Sequence, residues 1–261
     1  MKGLTGKRAL VCGSSQGMGR ACAVELARLG VEVTLVARTE ATLREALSTL
    51  STDAGQKHAH IVADFKDSAG LQAKVADQVE HSGPIQILVN NTGGPPHGAI
   101  VDATPEQFLQ AISNHIVCNH LLVQTLLPGM KSSGYGRIVN IISTSVIQPI
   151  KGLGVSNTTR GAVANWGRTL AGELAPLGIT VNNVLPGFTA TGRLQTLFQA
   201  KAEKAGTTVE QVERSIVESI PMQRLADPAE IASVVAFLVS PAASYLTGVN
   251  LPVDGGRTAV Q

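Results

Sequence analysis

The 261-residue sequence predicts one α/β domain over residues 1–261, a doubly wound parallel sheet of about seven strands with helices on both faces. Three observations carry this reading. Short β-branched runs are apolar at nearly every position, amphipathic stretches alternate with them along the chain, and a glycine-rich turn follows the first run directly. A strand apolar on both sides has to be covered on both sides, which calls for helices above and below. Right-handed crossovers then wind the sheet in two directions and open a ligand crevice at the carboxyl ends of its strands.

The strand runs fall at residues 9–12, 31–37, 60–63, 85–90, 137–142, 179–185 and 250–253. Helical patterns fall between them at 18–29, 41–50, 68–80, 105–130, 156–177 and 228–238. One segment breaks the rhythm. Residues 189–222 lie between the sixth strand and the last helix and are rich in Lys, Glu, Gln and Thr. Their pattern predicts one or two short helices rather than disorder, with a solvated surface excursion as the competing reading.

Composition narrows the function classes. A hydrophobic content of 44% supports a substantial core, while 3% aromatic residues offer little stacking surface for nucleic acid. Net charge is +2 without a basic cluster, so no polyanion partner is expected. No apolar run reaches membrane-spanning length and the first strand begins within a few residues, so neither a span nor a signal peptide is expected. The three cysteines, Cys12, Cys22 and Cys118, lack metal-ligand spacing and leave one over in any pairing. Reduced thiols in a cytoplasmic protein without a metal are the expectation.

The turn Cys12-Gly13-Ser14-Ser15-Gln16-Gly17-Met18-Gly19 sits between a strand and a helix. Gly13 permits the tight turn, and Gly17 and Gly19 let a diphosphate approach the backbone at the helix start. At the end of the second strand, Ala37 stands where an acidic residue accepts from an unphosphorylated ribose. Arg38 beside it suits a 2′-phosphate, with Ser14 or Ser15 as an added hydroxyl donor. NADP is therefore favoured over NAD. A solvated Arg38 is the competing reading.

Further along, Ala63-Asp64-Phe65, Asn90-Asn91-Thr92-Gly93, a strand ending at Ser143, Pro186-Gly187-Phe188-Thr189-Ala190-Thr191 and Val253-Asp254-Gly255-Gly256 follow at matching intervals. Together with the glycine spacing, these segments resemble the short-chain dehydrogenase/reductase family over almost the whole chain, and the nearest members are of the 3-oxoacyl-carrier-protein reductase type. The resemblance implies a Rossmann-like fold, a small-molecule substrate and a homotetramer, with a dimer second. It implies that Asp64 and Phe65 meet the adenine, that Asn91 shapes the ribose wall, and that Pro186, Gly187, Thr189 and Thr191 receive the nicotinamide carboxamide. It also makes residues 189–222 the substrate-covering insertion. Ser143 becomes the serine that orients the substrate carbonyl. His115 takes the place of the family's helix asparagine, although a one-residue slip selects Asn114.

The same alignment puts Ser156 where the family has its catalytic tyrosine and Arg160 where it has lysine. A serine hydroxyl is much less acidic than a phenol, whose unperturbed pKa is near ~10, and it stops short by about one ring. Arg160 can hold a ribose diol but stays protonated, so it is a poor proton carrier. Positioned acid–base groups typically contribute ~10²–10⁴ in rate. Their loss impairs the usual reaction without removing a hydride donor. Several readings stay open: an oxidoreductase using His115 as acid, one using His97, or one whose substrate needs no enzyme acid, such as a cationic iminium. Alternatively the protein binds NADP(H) without turnover, as a sensor or regulatory subunit. A scaffold that no longer binds nucleotide conflicts with the glycines and Arg38.

Overall fold

The computed structural model describes residues 3–259. β1 (Arg8–Cys12), β2 (Glu32–Ala37), β3 (Ala59–Val62), β4 (Ile87–Asn90), β5 (Gly136–Ile141), β6 (Ile179–Pro186) and β7 (Asn250–Val253) form one sheet of parallel strands. Their order is β3-β2-β1-β4-β5-β6-β7, so the winding reverses between β1 and β4. That reversal opens a crevice at the carboxyl ends of the strands.

Successive strand residues point to opposite faces, which explains the near-continuous apolar runs. Ala9 and Val11 of β1 join the cluster containing Leu26, Ile231 and Val235. Leu10 and Cys12 join the other cluster, with Leu71, Leu122 and Leu174. The first face is therefore covered by α1 (Gly17–Arg28), α2 (Glu40–Ser48) and α9 (Pro228–Val239). The second is covered by α3 (Ser68–Ser82), α5 (Cys118–Ser132) and α6 (Gly154–Leu174). Among the described residues no helix is long and apolar enough to cross a membrane.

The continuous helix expected over 105–130 is divided. α4 (Pro105–Ile112) and α5 are joined by a π-helical turn, Ser113–Val117. A π turn holds an extra residue and so shifts the face that follows it. Here it buries His115, which is 2% exposed. Between β6 and α9, two helices form as the pattern predicts, α7 (Gly192–Ala205) and α8 (Val209–Glu218). Leu194 and Phe198 of α7 close against Ile216 of α8. Thr191 and Thr208 cap their N-termini.

A row of asparagines ties the catalytic half of the sheet together. Asn90, Asn140, Asn183 and Asn250 are register partners on β4, β5, β6 and β7. Asn90 Nδ2 donates to Asn140 Oδ1, Asn140 Nδ2 to Asn183 Oδ1, and Asn183 Nδ2 to Asn250 Oδ1, each at 2.8 Å. A primary amide carries a donor and an acceptor, so in-register copies chain across parallel strands. Gly167 of α6 permits this packing, because a Cβ there would lie 2.8 Å from both Asn140 Nδ2 and Asn183 Oδ1. An unpaired buried polar group costs about 1–3 kcal/mol. An Asn140→Ala variant, which orphans the Asn90 donor and the Asn183 acceptor, should lose about 2–5 kcal/mol in urea denaturation. A change below about 0.5 kcal/mol would show that the row carries no stability.

Candidate active site

The crevice begins at the turn after β1. Gly13 and Gly17 adopt φ of 58° and 56°. A Cβ on Gly19 would lie 2.2 Å from the Gly13 carbonyl oxygen, so the helix start and the turn touch backbone to backbone. Asn91 Nδ2 donates to the Cys12 and Gly13 carbonyls at 3.3 and 3.2 Å and pins the turn to the end of β4. Side chains cap the N-termini of α3, α4, α7, α8 and α9, but Gln16 at the head of α1 makes no such bond. The first N–H groups of α1 are thus left for an anion. Thr191 faces this turn: a Cβ on Gly17 would lie 3.4 Å from Thr191 Cγ2.

At the end of β2, Arg38 is exposed and makes no ion pair among the described residues. Ser15 and Met18 are partly exposed beside the turn. Ser14 is not available as the hydroxyl donor expected from sequence. It is fully buried, accepts from the Val36 N–H at 2.9 Å and donates to the Val36 carbonyl at 3.4 Å. Asp64 is exposed, and Phe65 beneath it is buried, with its carbonyl accepting from the Cys118 thiol. Burial pushes the Cys22 thiol up to about 12 and Cys118 up to about 11, and raises Cys12 as well. These are inert packed groups rather than redox sensors.

At the ends of β4 and β5 the charge is positive. Ser156 and Arg160 lie one helical turn apart on α6, and each is 8% exposed. Arg160 donates from Nη1 to the Ile141 carbonyl at 3.2 Å and from Nη2 to the Thr92 carbonyl at 3.3 Å. Arg193, on the first turn of α7, donates to the Gly94 and Pro95 carbonyls at 3.1 and 3.3 Å. The two guanidiniums converge on Gly94, where a Cβ would lie 2.6 Å from Arg193 Nη2 and 3.3 Å from Arg160 Nη2. Neither joins a salt bridge among the described residues. Burial and the Arg193 charge push Arg160 down to about 10, and burial lowers Arg193. Both remain cations at neutral pH.

His115 is buried on the π turn, near enough to Arg160 and Arg193 to feel both charges. Burial, with the Arg160 and Arg193 charges, pushes its imidazole down to about 2. Burial thus favours the neutral ring and counts against His115 as an acid that exchanges protons near neutrality. Asn114, the alternative by a one-residue slip, instead accepts from Gln110 on the helix surface. His97 lies on the exposed loop after β4, where partial burial and the charges of Arg193 and Lys201 lower its pKa. That loop is anchored on the start of α6 by Gly98, whose N–H donates to the Gly152 carbonyl and whose carbonyl accepts from Gly154 N–H.

Ser143 closes β5 at the other side of the crevice, with its hydroxyl oxygen accepting from Ser145 N–H at 3.1 Å. Pro186 and Gly187 lie beside it at the end of β6, and the three share a small cavity. Thr189 is buried, its hydroxyl donating to the Gly187 carbonyl at 3.3 Å. The Thr191 hydroxyl is spent on the α7 cap and the Thr189 carbonyl. Arg160 bonds the Ile141 carbonyl two residues before Ser143, so both lie at the carboxyl end of β5, with Ser156 one helical turn before Arg160 on α6. Sequence reasoning missed Arg193, which is a lone cation in a polar segment until folding brings it back across the chain to Gly94.

A histidine that titrates near 6.5 when unfolded and near 2 when folded makes the unfolded state the better proton acceptor between those values. Folding stability then falls as pH drops below 6.5, by up to about 1.4 kcal/mol per unit. A His115→Asn variant should lack this component. Its denaturation midpoint should decline less steeply than wild type from pH 6.5 to 4.5, and parallel slopes would contradict the burial of a neutral ring.

With this geometry in place, comparison with known proteins is informative. A family profile described as enoyl-(acyl carrier protein) reductase matches residues 13–258. The 3-oxoacyl-(acyl-carrier-protein) reductase FabG of Pseudomonas aeruginosa is 32% identical over 255 residues, covering 97% of this chain and 98% of its own. The L-sorbose reductase of Gluconobacter frateurii, solved with NADPH and L-sorbose, superposes with a TM-score of 0.92 at 30% identity and 99% coverage of both chains. A xylitol dehydrogenase solved with NAD+ superposes at 0.90 with 29% identity, over 98% of this chain and all of that one. The chain belongs to the short-chain dehydrogenase/reductase family.

Proposed function

We propose that the protein is an NADP(H)-dependent oxidoreductase of a small-molecule substrate, in which the buried Arg160 guanidinium and the exposed Arg193 guanidinium beside it replace the protein acid. The carrying observation is the Arg160–Arg193 pair, two cations converging on Gly94 without a carboxylate among the described residues. The cofactor would be held by the glycine turn and the open head of α1, with Arg38 at its 2′-phosphate and Asp64 at its adenine. Ala37, in place of an acid, and the NADPH-bound sorbose reductase both support NADP over NAD. NADP(H) supplies the hydride.

This chain's own groups then do three things. The Ser143 hydroxyl orients the substrate carbonyl. Arg160 steadies the nicotinamide end through its donors. Together with Arg193 it stabilises the negative charge that grows on the substrate oxygen as hydride arrives. One unit charge ~4 Å away contributes about 4 kcal/mol at an effective dielectric of ~20. That is comparable with the about 3–5 kcal/mol an acid–base group supplies. Water delivers the proton afterwards. The same charges repel a cationic iminium, so the reading selects a carbonyl or a conjugated enone instead.

The reading includes a cytoplasmic homotetramer in which α7 and α8 cover the substrate. Exposed Leu109, Val117 and Phe237 offer apolar contact for association. A panel of ketones and enones with NADPH tests the activity. If NADPH binds but no member is reduced, the protein is a non-catalytic NADP(H)-binding subunit.

Two outcomes follow. Arg38→Ala should weaken NADPH binding roughly 10–100-fold in fluorescence titration and leave NADH nearly unchanged, since it removes charge-assisted bonds to one phosphate. Equal effects on both cofactors would show that Arg38 is merely solvated. Secondly, His115 and His97 lie below neutrality and Arg160 lies near 10. The kcat/KM for a substrate without its own ionisation should therefore be flat from pH 7 to 9. A tenfold fall per pH unit in that range would reveal a protein acid.

A further inference from the structure

Arg257 follows β7 on a turn made by Gly255 and Gly256, whose φ values are 63° and 87°. Asp254 fixes that turn. Its carboxylate accepts from Gly256 N–H at 3.0 Å, Thr258 N–H at 2.9 Å and the Thr258 hydroxyl at 2.6 Å. The acid nearest in sequence is thus fully engaged and forms no salt bridge with Arg257. The Arg257 guanidinium lies over the Phe188 ring, 5.1 Å from its centroid. Its Nε and Nη1 are sealed from solvent and have no hydrogen-bond partner among the described residues.

Two buried donors on a cation without acceptors are an unfinished structure, because polar groups taken from water are normally bonded. Arg257 also lines a cavity of about 50 Å³, together with Phe188, Gly187, Pro186, Ile150, Thr144 and Ser143. One water needs roughly 10–15 Å³, so the space admits a larger group. Its polar lining is Arg257, Ser143 and Thr144, beside the apolar Phe188, Pro186 and Ile150. This suits a charged head on an apolar body, and a planar carboxylate suits a planar guanidinium.

We infer that the substrate carries a carboxylate, which Arg257 binds beside Ser143. The inference rests on the reading of Ser143 as the residue that orients the reacting carbonyl. Because one small cavity is lined by both residues, only a few bonds separate the carboxylate from the carbon that receives hydride. The substrate class is therefore a short oxo acid or enoic acid. Arg257 holds the carboxylate end of the substrate, while the Arg160–Arg193 pair meets the reacting oxygen.

The test is calorimetric titration of the NADP+-loaded protein with pyruvate, acetoacetate and levulinate, each beside its neutral amide. At least one oxo acid should bind ten times or more tightly than its amide. Arg257→Gln should erase that preference and Arg257→Lys should retain part of it, with NADP+ affinity unchanged in both. No preference for any acid in wild type, including failure of every probe to bind, would overturn the inference. A preference that survives Arg257→Gln would overturn it too. If wild type does not bind NADP+, the oxidoreductase reading falls and takes this inference with it.

Discussion

Arg160 is held where the loop after β4 meets the end of β5, donating to the Thr92 and Ile141 carbonyls, with Arg193 beside it across Gly94. Neutral carbonyls satisfy the donors of a guanidinium without cancelling its charge. Burial raises the cost of that charge and a second cation raises it further, which is why Arg160 is pushed down to about 10. A fold keeps such a pair when the rest of the structure over-determines it. The positive field then sets what else the crevice can do: it adds to the burial that keeps His115 neutral, disfavours cationic ligands and favours any species on which negative charge accumulates.

The sheet supplies that over-determination. β4, β5 and β6 end at the crevice, and the asparagine row locks their register a few residues beneath it. Asn140 sits three residues before Ser143 and one before Ile141, whose carbonyl receives Arg160. A slip between strands would move Ser143, the Arg160 acceptors and the Pro186–Gly187 corner at once. The α6 helix is coupled to the same row, because Asn183 donates to the Ala164 carbonyl, one turn below Arg160. Positioning at the crevice is thus set by hydrogen bonds in the core together with the carbonyls of the loop after β4.

Much of this was readable from the residues in order. Strands apolar at consecutive positions require two covered faces, and the structure has them. Helix limits were shifted by only a few residues where caps decided them. The division of the helix over 105–130 was not readable, because a π turn adds one residue without interrupting the run of helical residues. Ser143, Ser156 and Arg160 could be assigned to one strand end and one helix because the family resemblance supplies their spacing, and the structure has that strand and helix. Arg193 and Arg257 could not. Each is brought to the crevice from far along the chain, and no local pattern separates them from ordinary surface cations. Ser14 was misread for a related reason: only the fold shows that its hydroxyl is used up on β2.

Under the proposed function, hydride transfer proceeds without a proton from the protein, with guanidinium charge carrying the transition state. Isotope effects on a single turnover test this most directly, using a reducible carbonyl or enone and NADPH deuterated at the transferred position. The account predicts a clear primary effect from the deuterated cofactor and a solvent effect near one when D2O replaces H2O. A solvent effect on the same step, accompanying the primary one, would mean that a proton moves with the hydride, and it would contradict the account.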